Sequence, residues 1–170
     1  MRYAPIIIFC LVCVCGFAQN DKFAEMSESA RNHALLKLNK KVIMETGPAY
    51  YRNDSLPKIE GPFVFDTKVA VVGRIPEDLG RKYYTVTINC DRKKERLEYY
   101  YATKVHIWAD TGEPIDIFFG CGVGYNFLHD SYQDWGKKKY PQMQYQSYYT
   151  DPDLMKKIQK NPGRKGTFPD

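Results

Sequence analysis

Apolar positions along this chain follow two rhythms, one close to four residues and one of two. Across residues 21–46, Met26, Ala30, Ala34, Leu38 and Val42 recur every fourth position, with Leu35 in the same stripe. That spacing predicts one face of an α-helix. Glu25, Ser29, Asn32, Asn39 and Lys40 supply the opposite face, and Leu36 and Ile43 blur the border. Gly47-Pro48 predicts the stop, because proline cannot continue a helix that glycine closes. The two-residue rhythm runs from 83 to 121. Tyr84, Val86, Ile88 and Cys90 alternate with Thr85, Thr87 and Asn89. Next, Leu97, Tyr99, Tyr101, Val105 and Ile107 alternate with Glu98, Tyr100, Ala102, Lys104, His106 and Trp108. After Asp110-Thr111-Gly112-Glu113-Pro114, the apolar face passes to Ile115, Ile117, Phe119 and Cys121. Three alternating segments in succession predict antiparallel strands with one buried face.

The remaining chain is less periodic. Residues 49–81 are punctuated by proline and glycine, and Phe63-Val64-Phe65 and residues 69–72 predict one or two short strands. From residue 131 a polar tail rich in tyrosine and lysine follows. Within it, Thr150-Asp151-Pro152 predicts the start of a short helix reaching about Lys160, and Asn161-Pro162-Gly163 its end. Residues 162–170 read as a disordered end. The expected fold is α+β: an N-terminal amphipathic helix on a twisted antiparallel meander of four or more strands, with a polar tail containing a short helix. The stripe Met26, Ala30, Leu35, Leu38 and Val42 is expected to meet Val86, Ile88, Tyr101, Val105, Ile107, Ile117 and Phe119.

Closing the first hairpin at 91–96 would set Cys90 opposite Leu97, Ile88 opposite Tyr99 and Val86 opposite Tyr101. Closing the second at 110–114 would set Cys121 opposite Thr103. Cys90 and Cys121 then lie roughly 20 Å apart at about 3.4 Å per residue, whereas a disulfide needs Cα atoms within about 7 Å. Both are therefore expected as unpaired, buried thiols. The same register puts His106 beside Phe118, Trp108 beside Asp116, Tyr100 beside Thr87 and Tyr83 beside Lys104. Such a face is more aromatic than solvent contact requires. It reads either as covered by the chain's own segments or as a recognition surface.

The first 18 residues change the setting. One charge, Arg2, precedes an apolar run over residues 6–14, and Gly16-Phe17-Ala18 places small residues where a signal peptidase reads. This predicts an export signal cleaved after Ala18, too short for a span of roughly 20 residues. Lipidation at Cys13 or Cys15 ranks below simple cleavage. The expected product is one domain over residues 19–161, periplasmic or secreted, with no stable membrane span. Three of the five cysteines lie in the leader, and losing Arg2 lowers the net charge from +5 to a mild +4. Basic and acidic residues are interspersed, which argues against nucleic acid as a partner.

Candidate chemistry is thin. In "GCGVGYNFLHD", residues 120–130, the glycines are spaced G-x-G-x-G after an antiparallel strand, unlike the G-x-G-x-x-G of a dinucleotide loop. Cys121 with His129 or His106 suggests a cysteine hydrolase, but an inward strand cysteine behaves as a small hydrophobe. Asp110-Thr111-Gly112 echoes an aspartic-protease triplet, yet D-T-G-E-P between strands is ordinary turn chemistry. His33, His106 and His129 lack metal-ligand spacing. No catalytic residue, metal or cofactor is expected.

Residues 105–114, Val-His-Ile-Trp-Ala-Asp-Thr-Gly-Glu-Pro, resemble the strand–turn–strand signature of PepSY-type domains, with Tyr84-Thr85-Val86-Thr87-Ile88 as the preceding strand and a helix ahead of both. The element order is also similar to helix-plus-meander immunity proteins of cystatin-like or nuclear-transport-factor-like layout. The resemblance covers roughly residues 30–121 and departs from those families at 49–81 and in the tail. It implies an exported, non-enzymatic module that binds or inhibits another envelope or secreted protein. The binding residues expected on the aromatic face and adjoining loop are Tyr83, Tyr100, His106, Trp108, Phe118, Tyr125, Phe127 and His129, since tyrosine and tryptophan are favoured contact residues. The rival functions are a carrier of a small apolar ligand, which needs a helix–sheet cavity of roughly 300 Å³, and the cysteine hydrolase.

Overall fold

A computed structural model describes residues 22–66, 78–128 and 139–163. The predicted leader, the strand expected at 69–72, His129 and the last seven positions of the tail lie outside these residues. Helix α1 spans Glu28–Thr46 and is followed by a 3-10 turn, Pro48–Tyr50. Strands β1 (Lys58–Val64), β2 (Lys82–Asn89), β3 (Tyr101–Trp108), β4 (Pro114–Phe119) and β5 (Gly124–Asn126) come next, and helix α2 (Pro152–Gln159) closes the order. The five strands form one antiparallel sheet in the order β1-β2-β3-β4-β5. The α+β architecture and the meander are as expected.

Helix α1 starts seven residues later than its periodicity predicted, because Ser27 takes the N-cap and its hydroxyl accepts from the Ala30 amide. Residues 22–25 form a turn instead, with Phe23 buried edge-on against Tyr84. The buried face of α1 is also rotated from the expected stripe: Leu35, Asn39, Val42, Ile43 and Thr46 face inward, while Ala30 is exposed. Leu35, Val42 and Ile43 share one core with Val86, Val105, Ile107, Ile117 and Phe119. Each such side chain contributes about 1.5–3 kcal/mol on burial. Helix and sheet are thus in direct apolar contact, and the interface a carrier would hollow out is filled by these residues.

The register differs from expectation in an instructive way. β2 and β3 pair Tyr83 with Trp108, Thr85 with His106, Val86 with Val105 and Thr87 with Lys104. This is four residues from the expected pairing of Val86 with Tyr101. β3 and β4 are displaced by two, pairing His106 with Asp116, Val105 with Ile117 and Thr103 with Phe119. Even displacements keep each side chain on its face, because the strand period is two. The first connection is longer than predicted because residues 91–95 make a helical turn and Arg96 exchanges backbone hydrogen bonds with Tyr148 and Tyr149 of the tail. A bulge between Ile88 and Asn89 leaves Ala102 unmatched. Ala102 turns into the core and Tyr101, expected to face the helix, falls on the outer face beside Lys104.

The glycine-rich stretch does not take the chain out of the sheet. Phe119 and Val123 are joined by a backbone bond of 2.8 Å, Phe118 pairs with Gly124, and the chain re-enters as β5. Gly122 has φ +84°, open chiefly to glycine, and a Cβ on Gly120 would lie 2.2 Å from the Tyr101 carbonyl oxygen. These glycines make a tight hairpin. Asp110–Glu113 likewise closes the β3–β4 hairpin: Trp108 donates its amide to Glu113 and Arg81 grips the Asp110 carboxylate at 2.8 and 2.9 Å.

Residues 139–163 of the tail form a clasp over the loop end of the sheet. The Met143 amide donates to Thr46 at 2.6 Å, and the Asp151 amide to Lys94 at 2.6 Å. Asp151 caps α2, accepting from the amides of Asp153 and Leu154, with Pro152 at the first helical position. Leu154 and Ile158 of α2 pack on Ala49.

Candidate functional site

On the outer face, β3 and β4 bring His106 and Asp116 side by side. The His106 Nδ1 lies 2.6 Å from Asp116 Oδ1. Asp116 is 1% exposed, and its second oxygen is buried with no hydrogen-bond partner among the described residues. This contact turns the imidazole so that Nδ1 meets the carboxylate and Nε2 points elsewhere. Rings enclose the pair: Tyr83 meets His106 edge-on at 5.4 Å between centroids, and Phe118 does so at 6.2 Å. Phe63 of β1 extends the row, its ring 5.7 Å from Tyr83. Towards the loop end, Tyr99 stacks on Tyr101 at 5.4 Å, and the Lys104 ammonium sits 4.9 Å from the Tyr101 ring. Burial, reinforced by the Asp116 carboxylate and Asp66, raises the pKa of the Tyr83 phenol. Burial, Tyr99 and Asp116 push Tyr101 up to about 12. Both hydroxyls are therefore neutral donors at physiological pH.

Of the residues expected on this surface, Tyr83, His106 and Phe118 come together, and Phe118 is 37% exposed. Trp108 is fully buried and takes no part in outward contacts. The Arg81 guanidinium covers its ring at 3.9 Å, and Phe65, Ile115 and Leu128 enclose the rest. Phe127, expected to be exposed, is buried in the main core and meets Tyr140 edge-on at 5.1 Å. Tyr125 is half-buried, its hydroxyl donating to the Pro141 carbonyl. Both follow from β5 rejoining the sheet beneath the tail. Tyr100 is 72% exposed but precedes β3; its carbonyl accepts from Cys90 and its ring lies 4.4 Å from the Arg92 guanidinium. It is a loop-end residue, apart from the His106 cluster.

Sequence reasoning missed Phe63, Tyr99 and Tyr101 as members of this surface, and set Asp116 on it beside the wrong neighbour. Asp116 was legible as a carboxylate on an otherwise apolar strand, but the two-residue slip assigned it to Trp108. A second missed cluster underlies the loop end. Arg52 donates to both carboxylate oxygens of Glu95 at 2.9 and 2.7 Å, and to the carbonyls of Ala49 and Tyr51. Tyr145 adds a third bond to Glu95 at 2.7 Å and meets Thr150 at 3.0 Å. Glu95 is completely buried. Burial opposes the Arg52 charge, yet the Glu95 carboxylate outweighs it and raises the Arg52 pKa. This pair ties the 3-10 turn, the β2–β3 connection and the tail together.

Cys90 and Cys121 are free and half-buried. Burial, with the nearby Glu95, raises the Cys90 thiol pKa, the reverse of what a nucleophile needs. Cys121 lines a cleft of about 160 Å³ with Leu97, Glu98 and Tyr148, next to the buried Tyr50 hydroxyl, whose pKa is raised by burial and by Cys121 itself. The His106 ring is engaged by Asp116, Tyr83 and Phe118 instead. Among the described residues, no three His, Cys, Asp or Glu side chains converge as metal ligands, and no helix is long and apolar enough to cross a membrane. Comparisons with protein-family models, with curated proteins and with solved structures find no match for this chain.

Proposed function

We propose that this is an exported, non-enzymatic protein-binding module, inhibitor-like or immunity-like, that docks another envelope or secreted protein through the outer face of its sheet. The observation that carries this reading is the row Phe63, Tyr83, His106 and Phe118, with Phe63 and Phe118 exposed, Tyr83 and His106 partly so, and His106 seated on the buried Asp116 carboxylate. Aromatic side chains contribute large contact area with few rotatable bonds, which suits the centre of an interface. The helix-then-meander order and the turn at 110–113 support the likeness to PepSY-type and immunity-type domains. Trp108, Phe127 and Tyr125 support the face from beneath or from the core rather than touching a partner.

The test is site-specific photocrosslinking in the native host. A crosslinking residue replacing Phe118 or Phe63 is expected to capture the same protein, while one replacing His33, on the exposed side of α1, captures none. Equal capture from all three positions, or from position 33 alone, sinks the assignment of the face.

A further inference from the structure

We propose that the exposed turn after Arg52 is a glycosylation site, with Asn53 as the attachment residue. This rests on the export reading, since glycans of this kind are added to chains that leave the cytosol. Asn53-Asp54-Ser55 has the pattern Asn-x-Ser with a middle residue other than proline, the acceptor pattern for an N-linked glycan. Asn53 and Asp54 form an exposed turn. The turn stands on a rigid base, because the neighbouring Arg52 is locked by Glu95 and two carbonyls.

Leu56, three residues on, is 91% exposed, so the chain past the turn is open to an approaching transferase as well. Around the turn are Lys94, which approaches Asp54 at 3.5 Å, and Lys157 and Asn161 at the end of α2, lining an open cleft of about 170 Å³. The turn lies at the loop end, apart from Phe63, Tyr83 and Phe118, so a glycan there leaves the outer sheet face open.

The transfer balances with one co-reactant, an oligosaccharide carried on a lipid pyrophosphate and supplied with its transferase by the exporting membrane. The Asn53 Nδ2 forms a bond to the anomeric carbon of the sugar. The bond from that carbon to the donor's phosphate oxygen breaks. The lipid pyrophosphate leaves with the electron pair, and the amide nitrogen gives up one proton.

The test is the intact mass of the exported chain purified from its native host, read for wild type, Asn53→Gln, Ser55→Ala and Asn161→Gln. All three substituted positions are at or near the surface, where changes are well tolerated. The expected result is a wild type heavier than its polypeptide by whole sugar residues, with the increment lost in Asn53→Gln and Ser55→Ala and kept in Asn161→Gln. An exported wild-type chain of bare polypeptide mass overturns the proposal. An increment kept in Asn53→Gln but lost in Ser55→Ala moves the attachment to the Ser55 hydroxyl and overturns the assignment to Asn53. A chain found in the cytosol with residues 1–18 still attached overturns the export reading and the glycan with it; N-terminal sequencing tells this from the other failures.

Discussion

Replacing Glu95 by glutamine tests the account of the loop end most directly. The carboxylate accepts two bonds from Arg52 and one from Tyr145, with the two ionic side chains 6% and 0% exposed. Glutamine keeps the shape but not the charge, and one of its two polar atoms can only donate. It would face Arg52 or Tyr145 with the wrong polarity and leave the guanidinium buried without a counter-charge. Breaking a buried pair in this way costs about 3–5 kcal/mol, a large part of the 5–15 kcal/mol that holds a typical domain together. With a urea slope of about 1–3 kcal/mol per molar, the midpoint should fall by roughly 2 M, as followed by circular dichroism. Removing both charges together, Arg52→Met with Glu95→Leu, should recover most of the loss, because desolvating two ions offsets much of what their attraction supplies. The reasoning is refuted if Glu95→Gln unfolds within about 0.3 M of wild type, a shift below 1 kcal/mol on that slope. It is equally refuted if the double substitution is no better than the single one, which would mean the cost lies in packing rather than in the stranded charge.

Four further outcomes follow from the geometry. Gly120→Ala, which would press a Cβ against the Tyr101 carbonyl, should lower stability by about 1–3 kcal/mol in the same urea assay. Leu35→Ala, a fully buried position, should cost about 2–5 kcal/mol by leaving a cavity between helix and sheet. Phe118→Ala should change stability by no more than about 0.5 kcal/mol while abolishing capture from a crosslinker at position 63. Tyr101 titrates near 12 when folded against 10.0 for the free side chain, so its contribution is fully present below pH 10 and is lost as pH rises to 12. Tyr101→Phe should therefore flatten the alkaline fall in stability over that window, seen in unfolding curves and in the absorbance of tyrosinate.

The limits of the sequence reading trace to what periodicity encodes. Alternation assigns a side chain to a face and is blind to slips of two or four residues, so Tyr83, His106 and Phe118 were placed together although every cross-strand partner named for them was wrong. It fails where a bulge adds a residue, as at Ala102, which carries Tyr101 to the other face. It also says nothing about what covers a face. Trp108 is sealed by Phe65, Arg81 and Leu128, contributed by segments with no rhythm of their own. Helical periodicity erred differently at Asn39. Polarity put it on the wet side, while burial on both sides by Leu35, Val42 and Ile43 carries it into the interface, its side-chain oxygen without a hydrogen-bond partner among the described residues. Glu95 sits in the run Asp91-Arg92-Lys93-Lys94-Glu95-Arg96, whose composition is that of a solvated loop. Its burial depends on Arg52, 43 positions earlier, and Tyr145, 50 positions later. A contact of that kind has no local signature. It arises only once the tail folds back over the sheet, which is why the charged residue most deeply committed to the fold looked like the least remarkable one on the chain.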